Sequence, residues 1–442
     1  MRGHVRVAWA RIVGYDKAQT QMKGAFVPHS LASYALIFVV AVIVALATTP
    51  LARVIATKLG AIDYPSARRI NTEPIPRMGG IAIILGLGVT LGGFYLGSKL
   101  GLWPPIIMES PHFTINYPLM GLSYVTIFAV GAIDDVVQLK PWPKLFGQII
   151  AAAIAVTSGL VVGSIVNPFA PGELISLGWF AYPVTVIYLV AYVNIINLID
   201  GLDGLASGIT FIASVTMFVI AWMAGRFDAA AISIALAGSA LGFLKYNFNP
   251  ASIFLGDSGS LLLGFVLGTV SLLTVTRFAG LTTMIVPLVI AGIPIMDTFS
   301  AIVRRKRAHV GVGHADKGHI HHRLMREGFN QKQAVLLIYG WTGLLCLGSI
   351  IMTQVELWPR VFIFAVLIAA SATFAKRLHL FEPVLLHHYD TETGADVLVT
   401  PEDPEFEQER EAAEERQEER RERILNVVDP IHHHGDSGSD DK

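Results

Sequence analysis

Residues 31–51 read LASYALIFVVAVIVALATTPL, a stretch without a single charged side chain. A helix needs about 20 mainly apolar residues to cross the roughly 30 Å hydrocarbon core of a bilayer, because each residue adds about 1.5 Å. The stretch meets that length and is apolar on all sides, which is typical of a membrane span. We therefore predict a transmembrane helix here.

Ten further stretches outward from this one have a similar character. The whole chain of 442 residues is 53% hydrophobic and 15% charged, which is more apolar surface than one globular core needs. We predict an all-α, polytopic membrane protein with about 11 transmembrane helices, although a count of 10 also fits the pattern. The further stretches are residues 78–97, 118–133, 145–165, 179–196, 205–224, 229–244, 258–275, 281–303, 333–352 and 361–375.

The loops between these spans differ in positive charge, and such loops stay in the cytoplasm. If the first span starts outside, the cytoplasmic loops hold sixteen Lys and Arg residues and the opposite loops only four. The bias predicts a multi-pass membrane protein whose polar loops face the cytoplasm. Residues 1–30 disagree, since their five cations fall outside. We interpret them as an interfacial extension, or as an over-long start with Met22 as the initiator.

The chain divides by composition into three parts. Residues 1–30 form an N-terminal extension, residues 31–376 a transmembrane catalytic domain, and residues 377–442 a charged cytoplasmic tail that is helical or disordered. The net charge of -1 argues against a nucleic-acid partner. The single cysteine, Cys346, excludes an internal disulfide and is interpreted as inert.

The first polar cluster is the pair Asp134-Asp135, at the end of the third span and before Lys140 and Lys144. A carboxylate near the bilayer centre costs about 2.5–3.5 kcal/mol, so these side chains should face water, protein or a cation rather than lipid. Adjacent carboxylates repel each other, which suits a site for a divalent cation or a lysine that handles phosphate. A helix end that is merely solvated is the alternative.

A second cluster holds Asn194, Asn197, Asp200 and Asp203 within the sequence NIINLIDGLDG. If this segment is helical, residues three apart share a face and their oxygen atoms converge, which suits Mg²⁺ and a nucleotide. The flanking glycines would let a ligand approach the backbone. A helix-breaking turn with Asp caps is the alternative.

The third cluster, NFNPASIFLGDSGS over residues 247–260, leads directly into the eighth span. Asp257 or Ser258 could be an ordinary N-cap, and a helix start flanked by glycine also presents N–H groups to phosphate. Either role is compatible with metal ligation by Asp257.

The fourth cluster lies in the basic loop after the ninth span. His319, His321, His322 and Arg323 stand close together there, next to Lys317. Neutral ligands among cations are poorer for Zn²⁺ than for a pyrophosphate, so we favour phosphate recognition over a zinc site or histidines without a role.

One more acidic side chain, Asp297, lies nearer the membrane interior. We expect it to pair with a cation from the run at residues 304–307.

Together, these clusters resemble the polyprenyl-phosphate N-acetylhexosamine 1-phosphate transferases of glycosyltransferase family 4. The resemblance runs from about Asp63 to Leu324 and rests on Asp134-Asp135, NLIDGLDG, FLGDSGS and HIHHRL in family order. It implies Mg²⁺, or Mn²⁺ in its place, on Asn197 and Asp257. The implied catalytic residues are Asp134, Asp135 and Asp257. The implied substrate-binding residues are Arg77, Asn194, Asp200, Asp203, His319, His321, His322 and Arg323.

The same resemblance implies the reaction and its partners. A UDP-sugar gives its sugar 1-phosphate to a polyprenyl phosphate, and UMP leaves. The pattern His-Ile-His-His resembles the GlcNAc-1-phosphate branch, whereas the phospho-N-acetylmuramoyl-pentapeptide transferases, the alternative, have three consecutive histidines. Many members have histidine at the position of Asn71 and a basic residue at that of Ser252, so an unusual substrate preference is expected. A homodimer is left open.

Two functions of other classes compete with this one. A proton-coupled transporter also uses intramembrane carboxylates, but it places them near the midplane rather than at one face. A membrane scaffold does not require four polar clusters on one side. For the transfer itself, direct attack by the acceptor phosphate and a phospho-enzyme on Asp134 or Asp257 are the two schemes.

Overall fold

A computed structural model provides the structure of the chain. It describes residues 31–64, 73–102, 115–166, 174–275, 289, 291–307, 319–326, 328–378, 380, 386–389 and 396–399. The expectations for the extension at residues 1–30 and for the tail beyond residue 399 lie outside the described residues.

The described chain is built almost entirely from helices. Nine of the helices in this part of the chain are long and apolar enough to cross a membrane. The predicted fold class, an all-α polytopic membrane protein, is confirmed. In chain order the helices are α1 (Leu31–Lys58), α2 (Gly80–Lys99), α3 (Tyr117–Val137), α4 (Pro141–Thr157), α5 (Ala181–Ile199), α6 (Leu205–Met223), α7 (Phe227–Asn247), α8 (Gly256–Val275), α9 (Gly292–Arg307), α10 (Ile320–Arg326), α11 (Gln331–Gln354) and α12 (Leu357–Arg377).

Two of the predicted spans are not among these nine. Helix α4 has only 17 residues, which is short for a span. The stretch predicted over residues 281–303 lies partly outside the described residues. Its described part belongs to α9, which ends in the basic residues at 304–307.

Three antiparallel two-stranded sheets accompany the helices. They pair β1 (Ile62–Asp63) with β2 (Ile75–Pro76), β3 (Ser164–Val166) with β4 (Leu174–Ser176), and β5 (Leu386–Tyr389) with β6 (Asp396–Val399). The first sheet bears on function, because Arg77 directly follows β2 and forms a parallel bridge to Phe254. This bridge ties the loop before α2 to the loop before α8.

Helices α7 and α8 form the interior of the bundle, since 83% and 89% of their most apolar stretches are buried inside the protein. Small residues permit this packing. A side chain at Gly238 or Gly242 of α7 would put its first carbon 2.5 Å from a backbone oxygen of α1. Close backbone approach at small residues is the usual way in which helices associate in a bilayer.

The chain separates into two compact units. One comprises Met1–Gly292 and Trp341–Arg360, and the other comprises Ile293–Gly340 and Val361–Lys442. The first contains α1 to α8, and the second contains nearly all of α9 and the whole of α10. Three of the four polar clusters therefore belong to the first unit, and the histidine cluster belongs to the second.

Candidate active site

Three helix ends bring the first three polar clusters together in the first unit. Asp134 lies in the last turn of α3, Asn197 in the last turn of α5, and Asp257 in the first turn of α8. Because these ends meet, carboxylate and amide oxygens that are up to 123 residues apart in sequence become neighbours.

The ammonium group of Lys144 lies at the centre of this acidic cluster. Its Nζ is 3.0 Å from Asp134 Oδ2 and 2.9 Å from Asp257 Oδ2, and it donates to Asn197 Oδ1 at 3.4 Å. Burial lowers the pKa of the lysine, but the charges of Asp257 and Asp134 outweigh burial, so the net shift is upward. Three oxygen atoms from three helices thus converge on one positive charge.

The side chain of Asn197 is oriented by its own hydrogen bonds. Its Nδ2 donates to Asp257 Oδ1 at 2.5 Å and to Ser260 Oγ at 2.8 Å. Both donors point toward α8, so the amide oxygen faces Lys144. This fixed orientation presents an oxygen, rather than an N–H group, to a cation.

Asp135 serves a different purpose from its neighbour Asp134. Its Oδ1 accepts from the amide of Asp257 at 2.8 Å, and its Oδ2 accepts from the amide of Ser258 at 3.0 Å. The residue is 2% exposed. A carboxylate at the first amides of a helix compensates their partial positive charge. Asp135 therefore caps α8 from another helix, and its predicted catalytic role stays a prediction.

Gly256 makes this cap possible. Its φ is +70°, and a side-chain carbon there would lie 2.6 Å from Asp135 Oδ2. Only glycine adopts that conformation without strain and leaves room for the carboxylate.

Arg77, predicted to bind substrate, contacts the end of α3 next to this cap. Its Nε and Nη2 donate to the carbonyl oxygen of Asp135 at 3.2 and 2.9 Å, and its Nη1 lies 3.8 Å from Asp63 Oδ1. A guanidinium at the carbonyl end of a helix is favourable electrostatically. These contacts support the end of α3 and the first sheet, and the predicted binding of substrate by Arg77 stays a prediction.

Asp134 is fixed on both oxygens. Its Oδ1 accepts from the amide of Leu139 at 2.6 Å, while its Oδ2 pairs with Lys144. The first bond holds the short connection between α3 and α4. The carboxylate is thereby oriented toward the cluster rather than being mobile.

Of the two conformations left open for this segment, the structure shows the turn, because α5 ends at Ile199. Asp203 turns away and its Oδ2 accepts from Asn249 Nδ2 at 2.9 Å and from the amide of Ala251 at 3.0 Å. Asp200 stays near the cluster. Burial, followed by the charge of nearby carboxylates, Asp257 first, raises its pKa well above the usual range.

Asn194, also predicted to bind substrate, is paired within the protein. Its Nδ2 donates to Gln148 Oε1 at 2.7 Å, and Gln148 Nε2 lies 3.4 Å from Asn194 Oδ1. Gln148 is 1% exposed. This amide pair joins α4 to α5 one turn from Asn197, and the predicted binding of substrate by Asn194 stays a prediction.

The histidine cluster of the second unit is organised by Asp297. Its Oδ2 lies 2.9 Å from His319 Nδ1, and its Oδ1 accepts from the amide of Ile320 at 2.8 Å. The rings of His319 and His321 are stacked, with centroids 5.8 Å apart. Arg323 is buried on the same short helix, α10. His322 also lies on α10, but its side chain is outside the described part.

Asp297 pairs with His319, a partner that the sequence did not predict. Of the cations at residues 304–307, Arg304 donates to Ser300 Oγ at 2.9 Å and to the carbonyl of Leu380 at 2.6 Å. The side chains of Arg305 and Arg307 lie outside the described part of the chain, so the expected pairing with a cation of this run stays a prediction.

The sequence was compared with known proteins. The model of glycosyl transferase family 4 matches residues 117–275, which run from α3 to α8. A Bacillus subtilis (strain 168) protein named probable undecaprenyl-phosphate N-acetylglucosaminyl 1-phosphate transferase is 37% identical over 333 residues, 75% of this chain and 88% of the relative. The chain belongs to glycosyl transferase family 4.

Further relatives agree with this assignment. A decaprenyl-phosphate N-acetylglucosaminephosphotransferase of Mycobacterium tuberculosis (strain ATCC 25618 / H37Rv) is 33% identical over 384 residues, 79% of this chain and 90% of the relative. An undecaprenyl-phosphate alpha-N-acetylglucosaminyl 1-phosphate transferase of Yersinia pestis is 29% identical over 314 residues, 70% and 81% of the two chains. The family segment contains every residue of the acidic cluster.

The acidic cluster of this family 4 protein fits a hard divalent cation. The atoms around Lys144 Nζ are two carboxylate oxygens and one amide oxygen, the ligand type that Mg²⁺ prefers. Among the described residues, no three His, Cys, Asp or Glu side chains are arranged to hold a metal alone. Mg²⁺ is commonly bound by one or two carboxylates and completed by substrate phosphates and water, so a partial set is the expected one.

Sequence reasoning missed two residues of the family 4 site. Lys144 was noted after the Asp-Asp pair, which suggested a lysine that handles phosphate, but it was not named as a site residue, and Gln148 was not considered. A signal existed for the first, because KPWPK follows the Asp-Asp pair within five residues and a helix starting at Pro141 returns a lysine to that pair. No local signal marks Gln148, whose partner is 46 residues away.

Proposed function

We propose that this family 4 transferase moves GlcNAc-1-phosphate from UDP-GlcNAc to a polyprenyl phosphate, undecaprenyl or decaprenyl, and releases UMP. The product would begin the membrane stage of a cell-envelope polysaccharide. One observation carries the proposal: oxygens of Asp134, Asn197 and Asp257 converge on the ammonium of Lys144. Such a mixture of fixed negative and positive charge suits a diphosphate that arrives with a divalent cation. The names of the relatives supply the sugar and the class of lipid.

The proposed location is the bacterial cytoplasmic membrane, with the acidic cluster facing the cytoplasm. Support comes from the lysines at the helix ends on the same side of the bundle as the acidic cluster. Lys58 ends α1, Lys245 lies in the last turn of α7, and Lys140 directly precedes α4. Positively charged ends of this kind remain on the cytoplasmic side. UDP-sugars are made in that compartment, so the donor would reach the cluster directly.

The proposed cofactor is Mg²⁺, with Mn²⁺ as a substitute. Asn197 Oδ1 and the carboxylate of Asp257 would hold it. When bound, the ion supplies positive charge that neutralises the diphosphate and the leaving UMP.

The chain's own residues position the reactants. In direct transfer, an oxygen of the acceptor phosphate forms a bond to the β-phosphorus, and the bond from that phosphorus to the bridging oxygen breaks. A phosphate monoester has a second pKa near 6, so it is mostly dianionic at neutral pH and needs no base. Lys144 supplies a positive charge for the phosphates. Asp134, held by Leu139 and Lys144, orients that lysine.

The test is transfer by the purified full-length chain in detergent or nanodiscs. UDP-[¹⁴C]GlcNAc, undecaprenyl phosphate and Mg²⁺ should give a labelled lipid and equimolar UMP. UDP-MurNAc-pentapeptide in a parallel reaction should give none. Labelled lipid from the pentapeptide donor alone would assign the muramoyl branch instead. Release of UMP without acceptor would favour a phospho-enzyme, and label crossing sealed vesicles unchanged would indicate a transporter.

A further inference from the structure

Asp297 is a buried carboxylate that the proposed transfer does not yet use. It belongs to α9 in the second unit and is 2% exposed. Burying an ionised carboxylate is unfavourable unless it is paired and hydrogen-bonded. Both of its oxygens are engaged, one by the ring of His319 and the other by the amide of Ile320.

The pairing defines which side of the His319 ring meets a ligand. An ionised carboxylate can only accept, so the hydrogen between the two residues is carried by Nδ1. Nε2, on the opposite edge of the ring, is then the nitrogen that remains for a ligand. When Nε2 is protonated as well, the Asp297 carboxylate compensates the charge of the ring, and Nε2–H can donate to a phosphate oxygen.

The second oxygen of Asp297, Oδ1, also fixes the backbone at Ile320. Ile320 is the first residue of α10, which also carries His321 and Arg323. Because Oδ1 binds the Ile320 amide at 2.8 Å, the ring of His319 and the start of α10 are held by one side chain. A surface histidine without a role would not need a buried carboxylate on another helix.

We propose that Asp297 is a positioning residue that fixes the ring of His319, so that Nε2 is the nitrogen that meets a phosphate group of the substrate. The inference rests on the proposed function, since it requires that a diphosphate is bound. This positioning role differs in one respect from a role in stability alone. The effect of Asp297 on transfer should pass through the ring of His319.

Asp297→Asn separates these roles. The asparagine oxygen can still accept from the Ile320 amide, but its NH₂ group faces Nδ1, so the ring can no longer carry hydrogen on both nitrogens. We expect kcat for GlcNAc-1-phosphate transfer to fall about tenfold or more, a common result of removing the group that orients a functional histidine. The folded protein, followed by thermal melting and size-exclusion profile, should be retained.

The decisive measurement is a double-mutant cycle with His319→Ala. If Asp297 acts through the ring, adding Asp297→Asn to His319→Ala should lower kcat by less than about twofold, because residues that act as one unit are strongly non-additive. Asp228→Asn is the matched control. Asp228 is another buried carboxylate, paired with Arg226 and Tyr117 in the first unit, and its loss should multiply with that of His319→Ala.

Each outcome decides something different. Multiplying losses for Asp297→Asn and His319→Ala in an active protein would overturn the positioning role alone. An unchanged kcat in a folded Asp297→Asn protein would do the same. A wild-type chain that makes no labelled lipid would overturn the proposed function, and this inference with it.

Discussion

Replacing Lys144 with methionine removes the positive charge at the centre of the acidic cluster while it keeps most of the side-chain volume. The ammonium lies about 3 Å from two carboxylates, and its side chain is 17% exposed. At that separation and an effective dielectric constant of about 20, each attraction is about 5 kcal/mol before desolvation. Much of this attraction is offset, because burying the charges costs desolvation energy and because solvent screens the side chain of Asp257, which is 28% exposed.

The loss expected in transfer is smaller than the sum of those attractions. A hydrogen bond to a charged group contributes about 1.5–3 kcal/mol, and the uncompensated carboxylates would in addition repel the diphosphate. We therefore expect Lys144→Met to lose about 3 kcal/mol of transition-state stabilisation, or about 10²-fold in kcat/KM at 1.36 kcal/mol per factor of ten.

The assay is labelled transfer from UDP-GlcNAc to undecaprenyl phosphate at saturating Mg²⁺. Lys140→Met is the matched control, since Lys140 is an exposed lysine four residues earlier that precedes the same helix. It should keep kcat/KM within about twofold. A folded Lys144→Met protein with more than half of the wild-type kcat/KM would refute the reasoning, as would an equal loss in Lys140→Met.

Three further variants test other contacts of the cluster. Asp257→Asn should lose most activity at every Mg²⁺ concentration, because an amide cannot replace the charge that faces Lys144; recovery at high Mg²⁺ in a titration would contradict this. Asp134→Asn should keep UDP-GlcNAc affinity by calorimetry while transfer falls, and a lost affinity would place Asp134 with the donor instead. Asp135→Asn should lower the melting temperature, since an amide cannot accept at both oxygens and an unsatisfied buried group costs about 1–3 kcal/mol; an unchanged melting curve would argue against the cap.

Local signals explain how much of the fold could be predicted. Long apolar runs identify the spans, because the bilayer imposes a length that is visible in a window of about 20 residues. The same signal gave α4 too much length, since apolar residues continue after the helix ends at Thr157. The sequence also left open whether the helix continues past Asp200. It ends at Ile199, and two glycines follow within the next five residues.

The residues of the site could be found from sequence more easily than their contacts. Asp135 and Asp134 are chemically identical neighbours, yet one caps a helix that begins 121 residues later and the other faces Lys144. Nothing in the local sequence separates them, because the difference arises from which face of α3 meets α8. Asp297 illustrates the same limit: its charge indicated a partner, but only the folded chain identifies His319.

The position of Lys144 has a consequence for the stability of the protein without a metal. Acidic residues that assemble only around a metal leave a protein that unravels when the metal is withdrawn. Here the chain carries its own counter-ion, so the contacts between the helix ends do not depend on a metal. The proposed Mg²⁺ would then take the place of the lysine ammonium rather than assemble the site. Chelation should silence the enzyme reversibly and leave its melting curve nearly unchanged.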